Sequence, residues 1–173
     1  MKSIVFAGGC FWGVEHYFKM VPGVRGTLVG YINGNYKFPT YEMVCKGITG
    51  HTEACKIEYD PAETSLFILL EHFFFIIDPT LLNKQGMDEG TQYRTGIYYY
   101  EEEDKKLIEE YINVIKDCYH DPIVVEVESA QEFWEAEDYH QNYLEINPTG
   151  YCHIMSYKYK LLSKVDQNAR SKI

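Results

Sequence analysis

An apolar run, Ser3-Ile4-Val5-Phe6-Ala7, passes directly into Gly8-Gly9-Cys10-Phe11-Trp12-Gly13, and this junction dictates where a strand stops and a helix begins. The five residues read as a buried strand, the two glycines as a tight turn, and Cys10–Lys19 as an amphipathic helix with Phe11, Val14 and Phe18 on one face. A thiol at that point faces the first free N–H groups of the helix, which favour a thiolate. An unperturbed cysteine is only about 3% thiolate at pH 7, so the position bears on reactivity. The bland alternative is a small apolar side chain at a turn; the two preceding glycines, which let a backbone approach a ligand, favour a nucleophile. Phe11 and Trp12 are neighbours on the helix and point different ways, so one packs while the other lines a cleft beside the sulfur.

The remaining punctuation gives a repeating order of elements. Pro22-Gly23 breaks the first helix, and Val24–Ile32 reads as a strand. Thr40 is an N-cap for a short helix through Lys46. Glu53–Tyr59 is a strand ended by Asp60-Pro61, and Thr64–Ile77 is a helix buried on most sides. Tyr93–Tyr100 reads as a strand, Asp104–Cys118 as a helix and Ile123–Val127 as a strand, with a short helix and coil after Phe133. This order predicts an α+β fold: a two-layer sandwich with a ferredoxin-like mixed sheet, helices packed on it, and a coil-rich C-terminal segment. One catalytic domain is expected over 1–157, with 158–173 as a frayed tail.

Composition removes several functions. The 173 residues carry a net charge of −10, which argues against binding nucleic acid or an anionic membrane surface. The apolar stretch ahead of Cys10 is about four residues, short of the roughly 7–15 that a secretion signal needs, and Leu66–Ile77 is too short to span a bilayer. Five cysteines without close pairing make a poor disulfide framework and fit a reducing compartment, the cytoplasm. There is no Cys-x-x-Cys pair and no His-Glu-x-x-His, so no metal site is expected. No coiled-coil pattern or broad apolar stripe demands a dimer, so a monomer is expected.

Within the strand Glu53–Tyr59, alternation puts Glu53, Cys55, Ile57 and Tyr59 on one face and Ala54, Lys56 and Glu58 on the other. Glu53 therefore ends an apolar face. Either it holds a proton there with a raised pKa, or it bends to solvent; the alternation alone leaves both open. Tyr41, Tyr93 and Tyr143 are candidate hydroxyl donors, although with sixteen tyrosines any one of them is more often packing. Asp88 lies in a polar loop where it would also serve as a turn cap. Cys152 falls in coil, where a mobile thiol can reach a second thiol. Cys45, Cys55 and Cys118 read as buried spacers. His140 is placed to support the site by a hydrogen bond, or to be purely structural.

Four separated motifs carry a family resemblance: Gly8–Gly13, Thr49-Gly50-His51-Thr52-Glu53, Gly90-Thr91-Gln92-Tyr93-Arg94 and Asn147-Pro148-Thr149-Gly150-Tyr151-Cys152. With these, from about Ile4 to Ile154, the chain resembles the A-type peptide methionine sulfoxide reductases. The resemblance implies that Cys10 is the catalytic cysteine and Phe11 and Trp12 the pocket for the substrate methyl. It implies Glu53 as the acid, Tyr41 and Tyr93 as hydroxyls on the sulfoxide oxygen, and Asp88 and Tyr143 as further site residues. Cys152 matches the resolving cysteine. The implied activity is thiol-dependent reduction of methionine-S-sulfoxide, free or in proteins, with no cofactor and a thioredoxin-like dithiol as reductant. The family commonly has His-Asp-Pro where this chain has Ile77-Asp78-Pro79, and asparagine where Met87 stands, which bears on pocket polarity. Many members carry a further recycling cysteine; none follows Cys152 here, so a Cys10–Cys152 disulfide is the expected oxidised end state. Two rivals remain from the residues alone. A peroxide-reducing thiol enzyme would need neither an aromatic pocket nor a neutral glutamic acid. A non-catalytic redox switch would be oxidised once without turnover.

Overall fold

A computed structural model describes residues 1–162. The elements begin β1 (Lys2–Ala7), α1 (Phe11–Phe18), β2 (Val24–Ile32), α2 (Tyr41–Cys45), β3 (Thr52–Tyr59) and α3 (Leu66–Ile76). A two-residue hairpin, β4 (Lys84–Gln85) and β5 (Asp88–Glu89), precedes β6 (Gly96–Tyr99). Then come α4 (Glu102–Ile115), β7 (Glu126–Ser129), β8 (Trp134–Glu135) and α5 (Tyr143–Ile146).

The main sheet has the order β7-β6-β1-β3-β2-β8. Its central β6-β1-β3-β2 portion is antiparallel throughout, and β7 joins β6 in parallel, so the sheet is mixed. This is the expected split β-α-β arrangement, because α1 and α3 each cross over one intervening strand. β1 is central and fully covered, which is why it reads as an uninterrupted apolar run.

The larger core lies between the sheet and the helices. Phe6 of β1 stacks on Phe73 of α3 at 4.6 Å, and Phe18 of α1 closes the group at 5.2 Å from Phe6. A smaller cluster, Val5, Ala7, Ile32, Ala54 and Tyr98, occupies the opposite face under Ala130 and Phe133. The alternation in β3 holds: Cys55, Ile57 and Tyr59 enter the larger core while Ala54 enters the smaller one. Thr40 caps α2 as expected, accepting from the Met43 N–H, whereas α3 starts later, at Leu66, with Ser65 accepting from Ile68 N–H.

Several boundaries differ from the sequence reading. Thr91–Tyr93 is a 3₁₀ turn that delays the strand to Gly96. The edge strand pairs at Glu126–Ser129 rather than Ile123–Val127, because the parallel register with β6 fixes it there. Phe67, Ile68 and Phe75 of α3 are exposed, so that helix is buried on one side only. Cys55 is buried, but Cys45 and Cys118 are exposed, since they sit at the last residue of α2 and in the turn after α4. The C-terminal end is not frayed throughout: residues 156–162 are helical, and Leu162 is buried in the core. The rest of the expected tail, 163–173, lies outside the described residues.

Buried Glu15 ties the C-terminal coil to α1. Its carboxylate accepts from Asn142 N–H at 2.8 Å and from the Thr27 hydroxyl at 3.1 Å. Burial, the largest influence, pushes the Glu15 carboxyl above its ordinary value.

Candidate active site

The site is built on the start of α1. Gly9 has φ +82, and a Cβ there would lie 2.7 Å from the Gln85 Cβ, so this turn accepts only glycine without rearrangement. The turn sets Cys10 as the N-cap of α1. Trp12 N–H in the first turn favours the thiolate without closing a full capping bond. The sulfur is nevertheless largely covered, with Cys10 6% exposed. Burial is the main influence on its thiol and raises it well above the ordinary range, reinforced by negative charge on Glu53. The expectation of a pre-ionised thiol is thus corrected: at this helix start, desolvation outweighs the N–H groups.

Glu53 enters from β3, opposite Tyr31 of β2. Its Oε2 accepts from Phe11 N–H at 3.1 Å, so the carboxyl takes the first free donor of the helix that Cys10 caps. It is 1% exposed, and burial pushes its pKa up to about 8, opposed by the Phe11 N–H and aided by Asp88. At neutral pH this carboxyl carries a proton and can donate it.

Tyr41, at the first turn of α2, and Tyr93, from the 3₁₀ turn, complete this end of the site. Both phenols are held protonated, chiefly by burial, and both feel the charge of Glu53; Tyr93 also feels Asp88 and Cys10. The Cys45 thiol, one turn further along α2, adds to the rise of the Tyr41 hydroxyl. The Tyr41 backbone N–H donates to Glu137 Oε2 at 3.2 Å, and Glu137 Oε1 accepts from the Tyr31 hydroxyl at 3.1 Å. Asp88, in β5, accepts from the Tyr151 hydroxyl at 2.9 Å, fastening the loop to the segment that carries Cys152.

The two aromatics after the sulfur divide their work. Phe11 is 1% exposed and packs between Tyr31 and His140. Trp12 stays half-buried and stacks on Tyr143 at 3.7 Å with the rings 11° apart. Its indole N–H donates to His140 Nδ1 at 3.0 Å. His140 is fully buried, with the rings of Tyr41 and Tyr139 4.4 and 4.1 Å away. An indole N–H can only donate, so His140 is neutral with its proton on Nε2. His140→Phe leaves that indole without an acceptor and should destabilise the fold by about 1–3 kcal/mol. Urea unfolding measures this, and an unchanged midpoint would refute the anchoring role.

His140 thus takes the supporting hydrogen bond that is one of its two readings from sequence, and Tyr151, from the same motif as Cys152, joins the site through Asp88. Cys152 is half-buried, and its sulfur is near enough to Cys10 to influence its ionisation. A cleft of about 850 Å³, lined by Cys152, Leu144, Pro148 and Tyr159 among others, opens beside it. All five cysteines are free thiols. Among the described residues no group of three His, Cys, Asp or Glu side chains could hold a metal ion, and no helix is long and apolar enough to cross a membrane.

Comparison with known proteins places this site in context. The family model described as peptide methionine sulfoxide reductase matches residues 2–172. The peptide methionine sulfoxide reductase MsrA of Clostridium acetobutylicum is 56% identical over 154 residues, covering 89% of this chain and 95% of the relative. Reduced Mxr1 from Saccharomyces cerevisiae superposes with a TM-score of 0.85 at 35% identity, covering 89% of this chain and 91% of that one. Methionine sulfoxide reductase A of Corynebacterium diphtheriae gives 0.79 at 36% identity, over 87% of this chain and 77% of that one.

Proposed function

The chain belongs to the peptide methionine sulfoxide reductase family, A type, a peptide-methionine (S)-S-oxide reductase that uses thiols, and from that premise we propose how its own residues divide the reaction. One observation carries the proposal. Glu53, protonated up to about pH 8, and Cys10 share the N-terminus of α1, with the Phe11 N–H holding the carboxyl in place.

The substrate methyl lies against the half-buried face of Trp12, which Tyr143 and His140 hold in position. The Tyr41 and Tyr93 hydroxyls and protonated Glu53 donate to the sulfoxide oxygen. Asp88 adds to the charge environment and anchors Tyr151. Burial still holds the Cys10 thiol above its ordinary range, but neutral Glu53 no longer adds to that, and the Trp12 N–H favours the thiolate that forms on attack. The Cys10 thiolate attacks the sulfoxide sulfur as Glu53 transfers its proton to the oxygen. The attack forms a transient S–S bond; the hydroxyl then passes to the Cys10 sulfur as that S–S bond and the substrate S–O bond break, so methionine leaves reduced and Cys10 holds the hydroxyl as a sulfenic acid. Cys152 then displaces it as water to form a disulfide, which a thioredoxin-like dithiol reduces through the cleft beside Cys152.

The same reading covers one catalytic domain over 1–157, with 158–162 packed against it, acting as a monomer on oxidised methionine in peptides and proteins. Five free thiols support a reducing, cytoplasmic setting.

Cys152→Ser separates the two halves of the cycle. This variant should release roughly one methionine per enzyme at the normal rate and then stall without dithiol. Counting methionine against enzyme in a quenched time course checks it, and continued cycling at the wild-type rate under thioredoxin would acquit Cys152.

A further inference from the structure

The sulfur of Cys152 does not hang free in coil. His153 Nε2 is bonded to the Gly8 carbonyl at 2.8 Å, and Ile154 is buried in the core, so the backbone around Cys152 is held against the start of α1. The sulfur itself rests on the bare backbone of that helix: a Cβ on Gly13 would lie 3.0 Å from it. Gly13 is one turn beyond Cys10, which places the seat on the face of the helix that carries the nucleophile.

The third wall of this seat is Tyr159, from the helical segment 156–162. Its ring packs against His16 at 5.2 Å and Tyr17 at 5.8 Å. Its hydroxyl is 3.1 Å from Cys152 Sγ and 3.2 Å from the Gly13 carbonyl oxygen. A phenol has one proton to give. While Cys152 is a thiol, the phenol donates to the Gly13 carbonyl, and the S–H has two acceptors in reach, the phenol oxygen and the Ile154 carbonyl at 3.6 Å. Once Cys152 is a thiolate, the phenol turns its proton to the sulfur. Burial and the adjacent thiol hold the phenol far above its ordinary value, so it remains a donor throughout.

We infer that Tyr159 is a positioning residue for the disulfide-forming step, seating the Cys152 sulfur over Gly13 and donating a hydrogen bond to its thiolate. This rests on the reading of Cys10 as the sulfenic acid and Cys152 as its partner. In that step the Cys152 thiol gives up its proton to solvent, the thiolate forms the S–S bond with Cys10, and the S–O bond of the sulfenic acid breaks. The departing hydroxide takes up a proton and leaves as water, so no outside oxidant enters. The other titratable groups around the sulfur are Cys10, His16 and Tyr17 of α1, Glu145 of α5, His153 and Lys160.

The test is a single turnover without added dithiol. Reduced wild-type protein and Tyr159→Phe are mixed with a peptide containing methionine-S-sulfoxide and quenched with an alkylating reagent at several pH values. Methionine release and Cys10–Cys152 disulfide are scored separately by mass spectrometry. Methionine release should be unchanged in Tyr159→Phe, because Cys10 and Glu53 are untouched. The disulfide should form roughly tenfold more slowly, the loss expected for one hydrogen bond to a charged sulfur. Its rise with pH should also move upward, since the thiolate has lost its donor. Wild-type disulfide kinetics in the variant would overturn the inference, and so would slowing by the same factor at every pH, which marks a merely structural side chain. If wild-type protein itself forms no Cys10–Cys152 disulfide, the underlying reading fails as well, and that result is distinct because it appears without any variant. Tyr159→3-fluorotyrosine keeps the shape and strengthens the donor, so the pH rise should move downward; an unmoved profile would refute the proposal even if Tyr159→Phe does not fold.

Discussion

Cys10→Ser should abolish turnover while leaving the protein folded. Serine is a favoured N-cap, and the backbone at this position, φ −56 and ψ 122, suits it, so the start of α1 should be at least as well capped as before. The chemistry has no such substitute. A serine hydroxyl is not ionised at neutral pH, its oxygen is a poor nucleophile toward a sulfoxide sulfur, and it cannot take up the hydroxyl as cysteine does. Methionine release from separated sulfoxide epimers with excess dithiothreitol measures the effect. The expected rate is below detection for both turnover and the first equivalent. Retained release would end the assignment of Cys10 as the nucleophile.

Glu53→Gln should slow the chemical step by about 10²–10⁴-fold, the range for losing a positioned general acid. The amide oxygen can still accept from Phe11 N–H, so the helix start keeps its 3.1 Å contact and the loss is confined to the proton. The pH profile gives an independent reading. On the proposed mechanism the acid form of Glu53 is the active one, so the rate of methionine release in the wild-type protein should fall as pH rises through about 8, its raised value. In Glu53→Gln that fall should disappear. Stability should change in the opposite direction. The folded carboxyl keeps its proton between its ordinary value of 4.5 and about 8, whereas the unfolded one releases it, so the wild-type fold loses stability across that window as pH rises. The neutral amide is free of this loss, and Glu53→Gln should be the more stable protein near pH 8 by a few kcal/mol. Urea unfolding at acidic and alkaline pH, read beside single-turnover rates, tests both. A rate unchanged by the substitution would mean that the proton comes from elsewhere.

The sheet was largely legible in the chain because its central strand is both continuous and apolar. The β3 alternation correctly separated the two cores and put the Glu53 side chain on the buried face. Short elements were not legible. The 3₁₀ turn Thr91–Tyr93 shares its residues with what reads as the start of a strand, and only the pairing of Gly96 with Ala7 shows where the ladder begins. β8 has just two residues, Trp134 and Glu135, and exists because β2 offers an open edge. The ionisation of Cys10 was misjudged for a different reason. Residue order reveals the helix start but not how much of the surrounding surface closes over the sulfur. His140 and Tyr159 carry no periodic or motif signal, and the motif that holds Tyr151 does not reveal its bond to Asp88, since the partners lie 63 to 146 residues apart.

Cys10 follows the strand at the middle of the sheet across a two-glycine turn, early in the sequence, whereas Cys152 arrives from the last coil before residues 156–162. Joining the two sulfurs would therefore enclose the stretch from residue 10 to residue 152, most of the 173-residue polypeptide, in a single ring. A covalent ring of that size removes on the order of 5 kcal/mol of chain entropy from the denatured ensemble. On the proposed cycle the spent enzyme should then be the sturdier one, better able to withstand heat and proteases, and the reductant that restores activity should also return it to its most vulnerable state.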